Sequence, residues 1–157
     1  MKKMILAATI ATLGFVMASA AELPMKFNPI NKANTTNFDG VITVNNTEGK
    51  SGGVNCQVNI NQAAPAKVIL SGESLCEESL TKAPNAHDYA LYIDLTYADG
   101  TKKYGITAPF STDTKEWQKK SVEFMPEKAI KQLRIYILYR NQTGKVQFKN
   151  LKLEEVK

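Results

Sequence analysis

The stretch YALYIDLTYADGT, residues 89–101, alternates strictly. Tyr89, Leu91, Ile93, Leu95 and Tyr97 fall on one side of an extended chain, and Ala90, Tyr92, Asp94, Thr96 and Ala98 on the other. Successive side chains of a strand point to opposite faces, so the pattern predicts a strand with one buried and one mixed face. Asp99-Gly100 supplies turn residues, and the chain from Tyr104 to Phe110 reads as the return strand.

Outward from this hairpin the same period recurs. Upstream, Val54, Cys56, Val58 and Ile60 alternate with the amides Asn55, Gln57 and Asn59. Downstream, Leu133, Ile135, Ile137 and Tyr139 oppose Arg134, Tyr136, Leu138 and Arg140. Shorter strands are expected near residues 39–44, 67–70, 74–80, 117–124 and 145–156. Residues 127–132 have room for one helical turn at most, and no segment carries a helical stripe. Seven to nine short strands punctuated by turn signals predict an all-β protein, an antiparallel β-sandwich or barrel.

The chain opens with Lys2 and Lys3, an apolar run from Ile5 to Val16 and the small residues Ala18-Ser19-Ala20. The run is short of the ~20 apolar residues a membrane span needs. It has the order of a cleaved signal peptide, residues 1–20, with Ala21 as the new N-terminus of a single domain over 21–157. The expected location is therefore secreted or periplasmic, with no membrane span after cleavage. The formal charge of +5 includes the two leader lysines. What remains is small and dispersed, no footprint of a nucleic-acid binder. Two cysteines, Cys56 and Cys76, are present. An even count in an oxidising compartment suggests a disulfide, and the alternative is two buried thiols.

Three segments together resemble a carbohydrate-binding module of the galactose-binding-like jelly-roll type. They are DYALYIDLTYADGTKKYG at 88–105, EWQKKSVEF at 116–124 and KAIKQLRIYILYRNQTGKVQFKNLKLEE at 128–155. The match covers about half of the chain beyond residue 20. The resemblance implies a jelly-roll sandwich, a glycan or polysaccharide as partner, and a core position for Trp117. It also implies a structural calcium near an acidic residue after the last-turn aromatic. Here Phe148 is followed by Lys149 and Asn150, poor neighbours for a cation that takes oxygen ligands. No cofactor is therefore expected and no metal residues are assigned, with Asp39, Glu48 and nearby main-chain oxygens as the alternative set for such a calcium.

Saccharides are held by aromatic rings against the sugar's apolar face and by planar polar groups on its hydroxyls, which donate and accept. Tyr92, Asp94, Arg134, Tyr136 and Arg140 share one outer face, provided their two strands lie in one sheet. That face reads either as a shallow saccharide site or as a solvated surface of cross-strand charge pairs, Asp94 with Arg134 among them. A second candidate is the loop leading into the central strand, Asn85, His87 and Asp88. Tyr104 and Tyr139 fall on apolar alternation positions and read as core. One histidine without a nucleophile motif gives no triad, and two cysteines with one histidine give no zinc set. Glu73, Glu77, Glu78, Asp94 and Glu123 are available as paired carboxylates, but sequence cannot supply their separation. The expectation is a secreted module without enzymatic activity that binds glycans weakly. The alternative is a protein-interaction or cell-envelope structural sandwich with no sugar site, whose partner is an envelope protein.

Overall fold

The computed structural model of the chain describes residues 19–79, 81 and 84–156. The expected leader lies almost wholly outside the described residues.

Among the described residues, eleven strands form two antiparallel sheets. They are β1 (Ala20–Leu23), β2 (Asn28–Pro29), β3 (Thr35–Phe38), β4 (Val41–Asn46), β5 (Gly52–Val58), β6 (Lys67–Ser79), β7 (Tyr89–Tyr97), β8 (Lys102–Pro109), β9 (Gln118–Phe124), β10 (Ile130–Tyr139) and β11 (Gly144–Val156). One sheet runs β3-β4-β11-β6-β9, with β1 on the far half of β11. The other runs β2-β5-β10-β7-β8. The strands beyond the expected seven to nine are short edge pieces, β1 to β3, whose polar sequences carry little period-2 signal. The described residues contain no helix, and the segment allowed one helical turn enters β10 at Ile130.

The alternation of residues 89–101 is the geometry of the sandwich. Tyr89, Leu91, Ile93, Leu95 and Tyr97 are all at most 5% exposed, and Leu133, Ile135, Ile137 and Tyr139 are fully buried. β7 and β10 are the inner strands of one sheet and carry these rows into the core side by side, Ile93 opposite Ile135 and Leu91 opposite Ile137. Burying each such side chain contributes about 1.5–3 kcal/mol before chain entropy is counted. At one end of the core four aromatics interlock. The Tyr89 ring lies 5.3 Å from Phe110, 5.4 Å from Tyr139 and 5.9 Å from Phe148. Buried tyrosines need partners for their hydroxyls. Tyr89 shares a 2.7 Å hydrogen bond with Ser74, and Tyr139 donates to the carbonyl of Thr143 at 3.1 Å.

Two expectations change here. Cys56 and Cys76 form no disulfide and stand as two buried thiols, one facing the core from β5 and the other from β6 on the opposite sheet. Burial pushes the Cys56 thiol up to about 11 and raises that of Cys76 as well. Tyr104 is not core. It is 65% exposed, because the β7–β8 register slips between Ile93 and Leu95. Two residues, Tyr104 and Gly105, stand against Asp94, and Gly105 takes a φ of 79°. A bulge of this kind shifts the alternation by one, which puts Tyr104 on the outer face.

Candidate functional site

The outer face of β2-β5-β10-β7-β8 is organised in rows across the sheet. In the first, Asn55, Tyr136, Tyr92 and Thr107 are register neighbours on β5, β10, β7 and β8. In the second, Gln57, Arg134 and Asp94 follow one another and lead into the bulge. The strands that carry Tyr92 and Asp94, and Arg134 and Tyr136, thus lie next to each other, as a shared site requires.

Tyr92 and Tyr136 are half-buried, and their rings meet edge to face at 5.7 Å. His87 continues the aromatic line, its ring 6.3 Å from Tyr92. The loop before β7 therefore adds its histidine to the sheet face and is no separate site in that respect. Burial raises the Tyr92 hydroxyl above its usual range, with Asp94 adding to the rise and the Arg140 charge opposing it. Its phenol stays a neutral donor and acceptor across the physiological range.

Beside this pair lies a depression of about 100 Å³, its walls including Asp94, Lys102, Tyr104, Gln132 and Arg134. Asp94 Oδ1 accepts the backbone N–H of Gly105 at 3.1 Å. Arg134 is exposed and, though opposite Asp94 in register, forms no ion pair with it. The cross-strand charge pair expected there is absent. Gln132 donates to Asn59 at 2.9 Å, which ties the end of the face together.

The remaining candidates are structural. Asp88 is fully buried, and its carboxylate is used up within the protein. Oδ1 accepts from Arg140 Nε at 2.8 Å and from Asn141 Nδ2 at 3.1 Å. Oδ2 accepts from the backbone N–H and the side-chain amide of Asn85, at 3.2 and 3.1 Å. Burial alone would raise this carboxyl, but the hydrogen bonds and the Arg140 charge outweigh it and hold it below the usual range. Asp88 and Arg140 therefore clamp the end of β10 to the loop entering β7. Asn85 faces a different hollow of about 310 Å³, against Pro109, Phe110 and Ser111.

Trp117 is also displaced from its expected place. It is 38% exposed just ahead of β9, with Lys149 Nζ 3.7 Å from the centre of its ring. The aromatic cluster of the core is built instead from Phe110, Phe148, Tyr89 and Tyr139. Lys149 lies 3.8 Å from Glu73 as well, and Asn150 donates to Glu73 at 3.0 Å. That local donor set is spent on a lysine and an amide and does not suit a hard cation. Glu48 pairs with Lys50, and no group of three or more His, Cys, Asp or Glu among the described residues is arranged to hold a metal.

Sequence reading missed Tyr104 and Lys102. The signal for Tyr104 is the isolated glycine that follows it, since a glycine inside a strand pattern marks a bulge.

No family model matches the chain. A 93-residue segment is 36% identical to the tRNA nuclease WapA of Bacillus subtilis (strain 168), and a tRNA3(Ser)-specific nuclease WapA of Bacillus spizizenii matches at 34%. The segment covers 58% of this chain and 4% of the length of either relative. These relatives correct the expectation of a protein without enzymatic activity. That expectation rested on missing triad and zinc motifs, and chemistry that uses neither leaves no such mark. Among solved structures, a xylan-binding domain of carbohydrate-binding module family 22 from Paenibacillus barcinonensis superposes with a TM-score of 0.50 at 14% identity, covering 88% of this chain and 86% of that one. The enzymatically active domain of Bacteriophage CBA120 tailspike protein 4 gives 0.52 at 12% identity, covering 88% of this chain and 19% of that one. The fold is a jelly-roll sandwich like that of carbohydrate-binding modules.

Proposed function

We propose that the chain is a glycan-binding module of the bacterial cell exterior or periplasm, which takes its ligand weakly on the outer face of β2-β5-β10-β7-β8. The observation that carries this reading is the Tyr92–Tyr136 pair, with His87 continuing its line and Asn55, Gln57, Asp94 and Arg134 around it. Rings supply apolar contact, and amide, carboxylate and guanidinium groups are planar partners for hydroxyls. The surface is shallow, so few ligand atoms lose their water, and affinity is expected in the weak range.

A glycan array probed with the purified protein over residues 21–157, with and without calcium, tests the reading. Reproducible binding that disappears in Tyr136→Ala supports it. A blank from folded protein sinks it and favours the protein-interaction or envelope-structural alternative, which pull-downs from envelope extracts would then pursue.

A second reading follows from the curated relatives, which are nucleases. An activity of that class in this chain would show as cleavage of a tRNA pool by the purified protein. Intact tRNA after prolonged incubation would remove it.

A further inference from the structure

The depression beside Tyr104 carries an unbalanced charge. Arg134 and Lys102 stand on its walls against one carboxylate, Asp94. Asp94 already accepts the N–H of Gly105. Among the described residues neither Arg134 nor Lys102 makes an ion pair or a side-chain hydrogen bond. Cations nearby are treated differently. Lys103 reaches Glu127 at 3.5 Å, Lys128 reaches Asp99 at 2.6 Å, and Arg140 holds Asp88 at 2.8 Å. Arg134 and Lys102, the two cations on the depression, have no such partner.

Arginine presents a rigid planar fork of donors that matches a carboxylate in two parallel hydrogen bonds. On an open sheet face an arginine without a partner stays hydrated, and an incoming carboxylate replaces that water with charge-assisted bonds. The volume of about 100 Å³ is well above the ~10–15 Å³ that one water needs, so a carboxylate and part of its ring can enter. Tyr104, 65% exposed, offers its ring beside the two cations. The bulge at Gly105 both turns Tyr104 outward and occupies Asp94, so one local feature builds the ring wall and leaves Arg134 unneutralised.

We infer that the saccharide taken by this face is acidic, with a sugar carboxylate seated between Arg134 and Lys102 beside the Tyr104 ring. This rests on the glycan-binding reading and adds the ligand's charge to it.

The test is isothermal titration of the purified chain with polygalacturonate, glucuronoxylan and alginate, each beside the same polymer with its carboxyls reduced to alcohols. At least one acidic polymer should bind about tenfold or more tighter than its reduced partner, with affinity falling as salt rises. Arg134→Gln should erase the difference between each acidic polymer and its reduced partner, and Lys102→Gln should narrow it. Both side chains are exposed, and circular dichroism confirms that the variants fold. Equal binding of each pair, or binding of neutral glycans alone, overturns the inference and leaves the glycan-binding reading standing. Displacement by dextran sulfate as effective as by uronate oligomers also overturns it, because general polyanion attraction needs no carboxylate fork. Binding to none of the polymers, acidic, reduced or neutral, defeats both.

Discussion

The two outer faces of the sandwich use the same residue types in opposite ways. On the β3-β4-β11-β6-β9 sheet four lysines close on carboxylates of neighbouring strands. Lys67 meets Glu123 at 2.7 Å, Lys145 meets Glu77 at 2.7 Å, Lys149 meets Glu73 at 3.8 Å and Lys152 meets Glu22 at 3.7 Å. Its exposed aromatic, Trp117, is covered by Lys149. On the β2-β5-β10-β7-β8 sheet the central rows hold tyrosines, amides and an arginine without a carboxylate partner. Ion pairs on that side sit at the rim, where Arg140 meets Asp88 and Lys128 meets Asp99. A surface whose charges are mutually satisfied has little left to offer a ligand. A surface that leaves planar polar groups and ring faces open between well-braced edges has contact still to make.

The largest expected effect is at the rim. Asp88→Ala leaves Arg140 without its buried partner, and loss of one member of such a pair costs about 3 kcal/mol at the low end of the range, where the partial exposure of Arg140 places it. Urea unfolding would read this. An unchanged midpoint would mean that the open face is not braced by the clamp. The same residue gives a pH signature. The folded carboxyl titrates below its unfolded value, so its contribution is present above pH ~4 and is lost as pH falls through the depressed folded value. The midpoint should drop in acid for the native protein and drop less for Asp88→Ala.

Next in size, Tyr92→Ala and Tyr136→Ala should each weaken glycan binding about tenfold or more, roughly 1.4 kcal/mol. Trp117→Ala should leave it unchanged. The reverse pattern would move the ligand to the other sheet and break the comparison. A smaller effect is expected at the bulge. Gly105 sits at φ 79° and an added Cβ would meet only the Tyr92 hydroxyl, at an ordinary contact distance of 3.9 Å, so Gly105→Ala is strained in backbone and not in packing, at about 1–2 kcal/mol. Gly105→Asn should recover part of the loss in melting temperature, since asparagine tolerates this region. Equal losses would count against strain as the cause. Smallest of all, Lys145→Ala on the ion-paired face should change stability by at most about 0.5 kcal/mol and binding not at all.

Much of this was legible from period alone. The rows 89–97 and 133–139 declare their buried sides because both sit on inner strands, where one face has no choice but the core. The neighbouring placement of Tyr92 with Tyr136 and of Asp94 with Arg134 needed one assumption, that β7 and β10 pair, which their register supplies. Failures came where the period is interrupted or where position in space decides. A one-residue slip took Tyr104 from inside to outside. Cys56 points inward, as its alternation said, and Cys76 does so from the opposite sheet, a placement that a linear pattern cannot express. Asp88 read as a loop-tip residue because its partners Arg140 and Asn141 lie more than fifty positions away. Trp117 followed the family pattern and not its own surroundings, where Lys149 gave its ring a place outside the core.

The two interior thiols set an order of events for the making of the protein. Once closed, the sandwich keeps Cys56 as a thiol titrating at about 11, and thiolate is the form that oxidants attack. Folding to this state therefore forms no disulfide between the two cysteines. Burial of the sulfurs waits on pairing between distant parts of the chain, β5 with β10 and β6 with β11. Folds of such non-local pairing close in milliseconds to seconds, whereas thiol oxidation and reshuffling take seconds to hours. Burial wins that race with little time to spare, so a substitution that slows pairing of β6 with β11 would surface first as wrongly cross-linked chains and only afterwards as lost stability.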